Sequence, residues 1–335
     1  MLRGALLGVG HVAVNGHLPA WRGRLEGALV AAADSRDGGK AAFLAACPGA
    51  RWYASAEELL ATEALDFVDI ATPPAAHASL IRAALERSLH VLCEKPLVLS
   101  REELAPLAAL ARERGRALVT VHNWKHAPAL AKLTELVREG AVGEVRRCRW
   151  ETLRTRPAAA AGQSGNWRVD PSQSGGGILV DHGWHAIYVV AGWLGLAARC
   201  VRANLETRKH SRFRIEDTAT VTLEYPEATA EIFLTWAARE RVNRVGIEGT
   251  RGRLELSGWR VTLASGGAER VWDLPSIAEG SHHPEWFGGV LEDFLAEISD
   301  LARRGRNLEE AALCAAVLAL SRESSRRGGE ALPLS

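Results

Sequence analysis

Over the first third of the chain, short apolar runs alternate with stretches of helical periodicity. Residues 2–9, 28–33, 67–71, 89–93 and 118–121 are nearly continuous in apolar residues, with Arg3, Asp69, His90 and Thr120 as the polar interruptions. Runs of that length without alternation suit strands covered on both faces, as in a parallel sheet. Between them, 56–62, 75–87 and 100–114 read as helices, the last opened by a Ser100/Glu103 capping box. Strand–helix alternation predicts βαβ units and a doubly wound α/β sheet. Beyond Asn123 the pattern changes. Segments 145–153, 218–225, 229–236, 245–247, 254–256 and 261–263 are strand-like, several with polar–apolar alternation, which predicts antiparallel sheet with one covered face. Two helical patterns, 285–303 and 309–326, close the chain. Residues 157–177, rich in Ala, Gly, Ser and Pro, read as a mobile loop ending in Gly175-Gly176-Gly177.

Composition narrows the class. At 335 residues, 47% hydrophobic and 24% charged, the chain has ordinary globular values and room for two domains. Its 41 basic and 40 acidic residues leave no net field for nucleic acid or an anionic membrane surface, so neither partner is expected. The five cysteines are widely spaced without a C-x-x-C, which fits unpaired thiols in a reducing compartment. The apolar start is too short for a signal peptide. The most apolar long stretch, 178–198, contains Asp181, His182 and His185, and reads as a helix carrying chemistry rather than a membrane span. A cytoplasmic protein is expected.

The candidate chemistry begins at the end of the first predicted strand. Gly8-Val-Gly10-His11-Val12-Ala13 is a G-x-G-x-x-A turn. Gly8 permits the tight turn, Gly10 lets backbone approach a pyrophosphate, and the helix opening at His11 and Val12 supplies donors for the anion. Asp34 ends the second strand, 24 residues after Gly10, near the ~20 expected for the acid on the adenosine ribose, although it could also simply cap the next helix. Its carboxylate would repel a 2′-phosphate and favours NAD. Ser35 and Arg36 could instead hold that phosphate, so NADP stays open. Thr72-Pro73-Pro74 with His77, and Glu94-Lys95-Pro96, follow later strands, where ligands bind in open α/β sheets. Asp181 and His185 share a helix face one turn apart. His185 could exchange a hydroxyl proton, Lys95 could stabilise the developing alkoxide, and Asp181 could orient the imidazole. Each also has a plainer reading: Lys95 as partner of Glu94, Asp181 at a helix start, His185 as a core histidine. Asp181, His182 and His185 are not a standard zinc set, and no metal is expected.

Taken together, these motifs closely resemble the Gfo/Idh/MocA family of NAD(P)-dependent oxidoreductases over nearly the whole chain. Trp167-Arg168, Glu216-Asp217-Thr218 and Glu248-Gly249-Thr250 match as well. The resemblance implies an N-terminal Rossmann domain (1–122) and an α+β domain with an open, mostly antiparallel sheet (123–305). It also implies a C-terminal helix returning to the Rossmann domain (306–335), and dimers or tetramers formed through the open sheet. It maps the catalytic set onto Lys95, Asp181 and His185, and places Thr72, Pro73, Glu94 and Lys95 beside the nicotinamide ribose, with His77 in the same turn. The Lys95–Pro96 bond is expected to be cis. Asn123, Trp167, Arg168 and His182 are expected with Lys95, Asp181 and His185 around the substrate. Departures are Lys125 where the family often has Arg, Pro74 where it often has Asn, and the added imidazole of His182. The implied activity is hydride transfer between nicotinamide and a secondary alcohol or ketone of a sugar, cyclitol or related polyol. Two alternatives stand beside it: NAD-dependent glycoside cleavage by transient oxidation and elimination, and a non-catalytic nucleotide-sensing regulator.

Overall fold

A computed structural model of the chain describes residues 1–158, 166–280 and 283–334. It divides into two compact units, 1–123 with 281–311, and 124–280 with 312–335.

In the first unit, β1 (Leu2–Leu7), β2 (Gly27–Ala33), β3 (Arg51–Tyr53), β4 (Phe67–Ile70), β5 (His90–Cys93) and β6 (Leu118–Thr120) form one sheet in the order β3-β2-β1-β4-β5-β6. All its pairings are parallel. β4 and β5 are buried throughout, as their unbroken apolar runs require of strands covered on both faces. Phe67 stacks on Trp21 at 4.8 Å and meets Phe294 edge-on at 5.7 Å. The helix Pro284–Ser299 thereby closes this core with Phe287, Val290, Leu291 and Phe294, all buried.

That helix decides where the chain returns. The return to the first unit is made by 281–311, whereas 312–335, expected there as part of 306–335, belongs with the second unit. The reason is the apolar face of Pro284–Ser299, which covers the sheet, against the polar ties made further on. Ser324 and Ser325 hydroxyls accept from the backbone N–H of Ala203 and Leu205, both at 2.9 Å.

In the second unit, β7 (Val145–Leu153), β8 (Cys200–Glu206), β9 (Thr218–Glu224), β10 (Thr229–Thr235), β11 (Val242–Gly249), β12 (Gly252–Ser257), β13 (Arg260–Ser265), β14 (Ala268–Asp273) and β15 (Leu332–Pro333) form a second sheet. Its order is β14-β13-β12-β11-β7-β10-β9-β8-β15, and among the described residues only β7 and β10 pair in parallel. Alternation along β7 puts Cys148, Trp150 and Thr152 inside and leaves Arg147, Arg149 and Glu151 on the other face. That outer face carries ion pairs, Arg147–Glu231 at 2.7 Å and Arg244–Glu151 at 3.3 Å. The predicted loop 157–177 contains short helical turns at Trp167–Val169 and Pro171–Ser174; residues 159–165 lie outside the described residues.

Candidate functional site

Parallel strands deliver every following loop to one edge of the first sheet, and the strand order reverses there between β1 and β4. Ladder bonds run past the strand ends: Gly8 N–H donates to Ala33 O, Ala71 N–H to Leu7 O and Glu94 N–H to Ile70 O, each at 2.8 Å. Gly8, Gly10, Asp34, Thr72, Pro73, Glu94 and Lys95 are thereby brought to one edge. Gly8 has φ +85°, and a Cβ there would meet the Thr72 backbone nitrogen at 2.9 Å, so glycine is required. A Cβ built on Gly10 would meet nothing within 4 Å among the described residues, which leaves the turn open to an approaching group. His11 and Val12 start the helical stretch that runs on through a π-helical turn, Ala13–His17.

These residues fit a dinucleotide. The Asp34 carboxylate accepts from the Val9 N–H at 2.8 Å and from the Arg36 N–H at 2.9 Å, which locks it at the end of β2 beside the glycine turn. Ser35 lies between the two, and the Arg36 side chain is exposed, with its Nε 3.8 Å from Asp34. Two buried polar atoms at this edge, Thr72 Oγ1 and Asn123 Oδ1, have no hydrogen-bond partner among the described residues, which suits polar atoms of a bound ligand. His77 behaves differently. It is fully buried, with Nδ1 2.8 Å from Pro96 O and Nε2 2.9 Å from Thr72 O, so it braces the two loops against each other. Burial pushes its pKa down, against the pull of the two carbonyls. The Lys95–Pro96 bond is cis.

Beneath Lys95, Glu94 joins a charge cluster whose other members, His17 and Asp69, are absent from the sequence-based set. His17, fully buried, contacts both Asp69 oxygens through Nδ1 at 2.9 Å and Glu94 Oε1 through Nε2 at 3.1 Å. Trp21 Nε1 donates to Asp69 at 2.7 Å, and Glu94 Oε2 accepts from the Lys95 N–H at 3.0 Å. Burial alone would lower the His17 pKa, but the charge and hydrogen bond of Asp69, aided by Glu94, lift it to about 10. Burial likewise opposes ionisation of Glu94, yet its bond to His17 and the charges of His17 and Lys95 hold its pKa below the usual carboxylate range. An imidazolium between two carboxylates therefore fixes the backbone at Lys95. The available signal was Asp69, an acid inside an apolar strand, which needs a buried partner.

In the second unit, Asp181 and His182 lie in a π-helical turn, Leu179–Gly183, and His185 in the helix Trp184–Leu194 that continues it. π-turns are rare and frequent at functional sites. Glu216 Oε1 accepts from Gly177 N–H at 2.9 Å and Leu179 N–H at 3.2 Å, holding the start of this turn. A Cβ on Gly177 would sit 1.8 Å from Glu216 O, which explains that glycine. Asp181 Oδ2 and His182 Nδ1 are 3.2 Å apart. His185 stacks on Trp124, ring centroids 4.5 Å apart and planes 9° from parallel. Its Nδ1 lies 2.8 Å from the Tyr188 hydroxyl, which accepts from the Trp124 N–H at 3.0 Å. Trp124 and Tyr188 were missed, although Tyr188 falls at helical spacing from His185. Trp167 and Arg168 pair with each other, the guanidinium 4.4 Å above the indole. Among the described residues no cluster suited to a metal ion occurs, and no helix is long and apolar enough to cross a membrane.

Both halves of the chain are similar to known proteins. Residues 2–122 match the oxidoreductase family with an NAD-binding Rossmann fold, and residues 130–255 match the GFO/IDH/MocA C-terminal domain. The chain is 28% identical over 308 residues to a dTDP-3,4-didehydro-2,6-dideoxy-alpha-D-glucose 3-reductase of Streptomyces antibioticus, covering 89% of each. It is 31% identical over 256 residues to a D-xylose 1-dehydrogenase (NADP(+)) of Haloferax volcanii, covering 75% of this chain and 74% of that one. In fold it is similar to an oxidoreductase from Agrobacterium radiobacter solved with NAD+, L-tartaric acid and magnesium (TM-score 0.87, 21% identity, 99% of this chain and 98% of that one). GenD2 from gentamicin A biosynthesis, solved with NAD, is similar too (TM-score 0.84, 24% identity, 100% and 96%). With both halves matched, and a glycine turn and acid in place to receive a dinucleotide, the chain belongs to the Gfo/Idh/MocA family of NAD-binding oxidoreductases.

Proposed function

We propose that this oxidoreductase acts on a secondary alcohol or the matching ketone of a sugar, cyclitol or related polyol, with Lys95, Asp181 and His185 as its catalytic set. The sugar class draws on relatives named for a dTDP-sugar, D-xylose and D-apiose. Bound nicotinamide supplies the hydride acceptor or donor. The observation that carries the acid–base role is His185 itself: a buried imidazole held flat against Trp124, with one nitrogen fixed by Tyr188, is built to move a proton at the other. Lys95, its backbone fixed by the Glu94 clamp, supplies a cation for a developing alkoxide. Asp181 orients a substrate hydroxyl or the imidazole. Asn123, Trp167, Arg168 and His182 complete the substrate contacts, and Asp34 favours NAD over NADP.

The outer face of the second sheet, with its rows of paired charges, supports a homodimer or homotetramer; light scattering of the purified protein gives the number of copies, and a monomer would remove that reading. The five cysteines, none in a disulfide among the described residues, fit a cytoplasmic setting.

The central test is His185→Ala. It is expected to lower turnover of an accepted polyol by ~10²–10⁴-fold while leaving NAD affinity nearly unchanged. Full turnover in the variant would remove His185 from the chemistry.

A further inference from the structure

We infer that Tyr188 is a positioning residue for His185: its hydroxyl, pinned by the Trp124 backbone N–H, fixes the imidazole at Nδ1 and leaves proton exchange with substrate to Nε2. The inference rests on the acid–base role proposed for His185 and assigns it a partner of this chain's own. A phenol oxygen has one proton to give and lone pairs to accept with. The Trp124 N–H, at 3.0 Å, takes one lone pair whatever the protonation of the histidine. A second hydrogen bond, 2.8 Å long, runs to Nδ1. When His185 is neutral with its proton on Nε2, the phenol donates to Nδ1. When His185 has taken a substrate proton on Nε2, Nδ1–H donates to the phenol oxygen instead. One hydroxyl thus serves both states by rotating a proton, with no movement of the ring.

Trp124 acts at both levels. Its N–H fixes the phenol, and its indole lies 4.5 Å from the imidazole and nearly parallel to it, a stack that favours the cationic form. Tyr188 meets the imidazole edge-on, centroids 5.7 Å apart, so the ring is held on a face and an edge. Ionisable groups nearby within this unit include Asp181 and His182 on the preceding turn, Arg154 and Arg241, whose charges act with Asp181, and Lys125, whose Nζ lies 5.9 Å from the Tyr188 ring. His182 also faces Trp124, at 6.1 Å. Cys314, from the last helix, donates to Trp184 O next to His185 in sequence.

The test compares wild type with Tyr188→Phe in the full chain. Removing the phenol oxygen leaves the imidazolium without its Nδ1 acceptor. The acid limb of the kcat/KM profile for alcohol oxidation is then expected to move down by about one pH unit. Turnover is expected to drop ~10–100-fold, less than the ~10²–10⁴-fold of a lost acid–base group itself, with NAD affinity retained. Nitrogen-15 NMR of labelled histidine, assigned with His185→Ala, reads the ring directly: wild type is expected in one neutral tautomer, and Tyr188→Phe in a mixture. If Tyr188→Phe does not fold, 3-fluorotyrosine at 188 keeps the shape and weakens the acceptor, and the limb moves the same way. A variant that is only less heat-stable, with limb and tautomer unchanged, overturns the inference. Should His185→Ala keep full turnover, the acid–base reading fails, and the NMR experiment still decides whether Tyr188 sets the tautomer.

Discussion

Asp34 uses both carboxylate oxygens on backbone N–H groups, Val9 on one side and Arg36 on the other, and so presents a charge that cannot swing away from an incoming ribose. Such charge-assisted bonds contribute about 1.5–3 kcal/mol each. Asp34→Ser removes the acceptor for the ribose hydroxyls and the repulsion of a 2′-phosphate, with exposed Arg36 left to attract that phosphate. NAD affinity is expected to fall roughly 10–100-fold and NADP affinity to rise; titration of both nucleotides checks it, and an unchanged ratio would remove Asp34 from cofactor choice. Asp34 was legible because the glycine turn, the strand and the acid are close in sequence. The clamp beneath Lys95 was not, since His17 meets Asp69 across 52 positions and Glu94 across 77. Neither spacing carries a local pattern. Asp69 signalled that some partner was needed, but not which one.

Elements were legible where the hydrophobic period is strong. Strand β7 and the helix Ala56–Thr62 fall at their expected limits, and β1, β4, β5 and β6 differ from theirs by one or two residues. The missed strands have physical reasons. β3 is only three residues long, and β14 is an edge strand of mostly exposed residues without an apolar face to betray it. β8 alternates, but through Cys, Val, Arg, Ala and Asn its buried positions are small. The π-turn bearing Asp181 was read as ordinary helix, because its cause is tertiary: Glu216 takes the first N–H groups, and Gly177 lies against the Glu216 carbonyl. Gly177→Ala is therefore expected to push this turn off Glu216. Overpacking costs about 1–3 kcal/mol, or roughly 2–12 °C in Tm for a domain of this size. Polyol turnover should fall further than stability alone explains while NAD affinity stays, as separate titration and melting experiments would reveal; weakened NAD binding would contradict the assignment of this turn to the substrate half of the chemistry.

At the scale of the whole molecule, the two-part organisation was visible as a change from continuous to alternating apolar runs near Asn123, but the course of the last segment was not. Periodicity identifies both closing helices and says nothing of which sheet each one covers; Phe287 and Phe294 decide it only through Phe67 and the residues packed around it. Charge across the molecule is nearly balanced, and its many half-exposed ion pairs contribute about 0–1 kcal/mol each. The pH dependence of stability near neutrality therefore falls chiefly to three buried histidines, His17 shifted up and His77 and His90 shifted down. His17 is raised from 6.5 to about 10, so its contribution is complete below pH 6.5 and is lost as pH rises towards 10. His90, lowered to about 4 first by burial and then by Arg116 and Arg304, contributes above pH 6.5 and loses that contribution as pH falls towards 4. Stability is expected to peak near pH 6.5 and to decline on the alkaline side by about 1.4 kcal/mol per pH unit, the slope of one proton. Urea unfolding from pH 6 to 10 reads this slope directly. His17→Gln leaves Asp69 and Glu94 without their cation and should cost about 3–5 kcal/mol at pH 6.5, yet between pH 7 and 10 its stability should be nearly flat. A variant that keeps the wild-type slope would show that the alkaline loss comes from elsewhere in the chain.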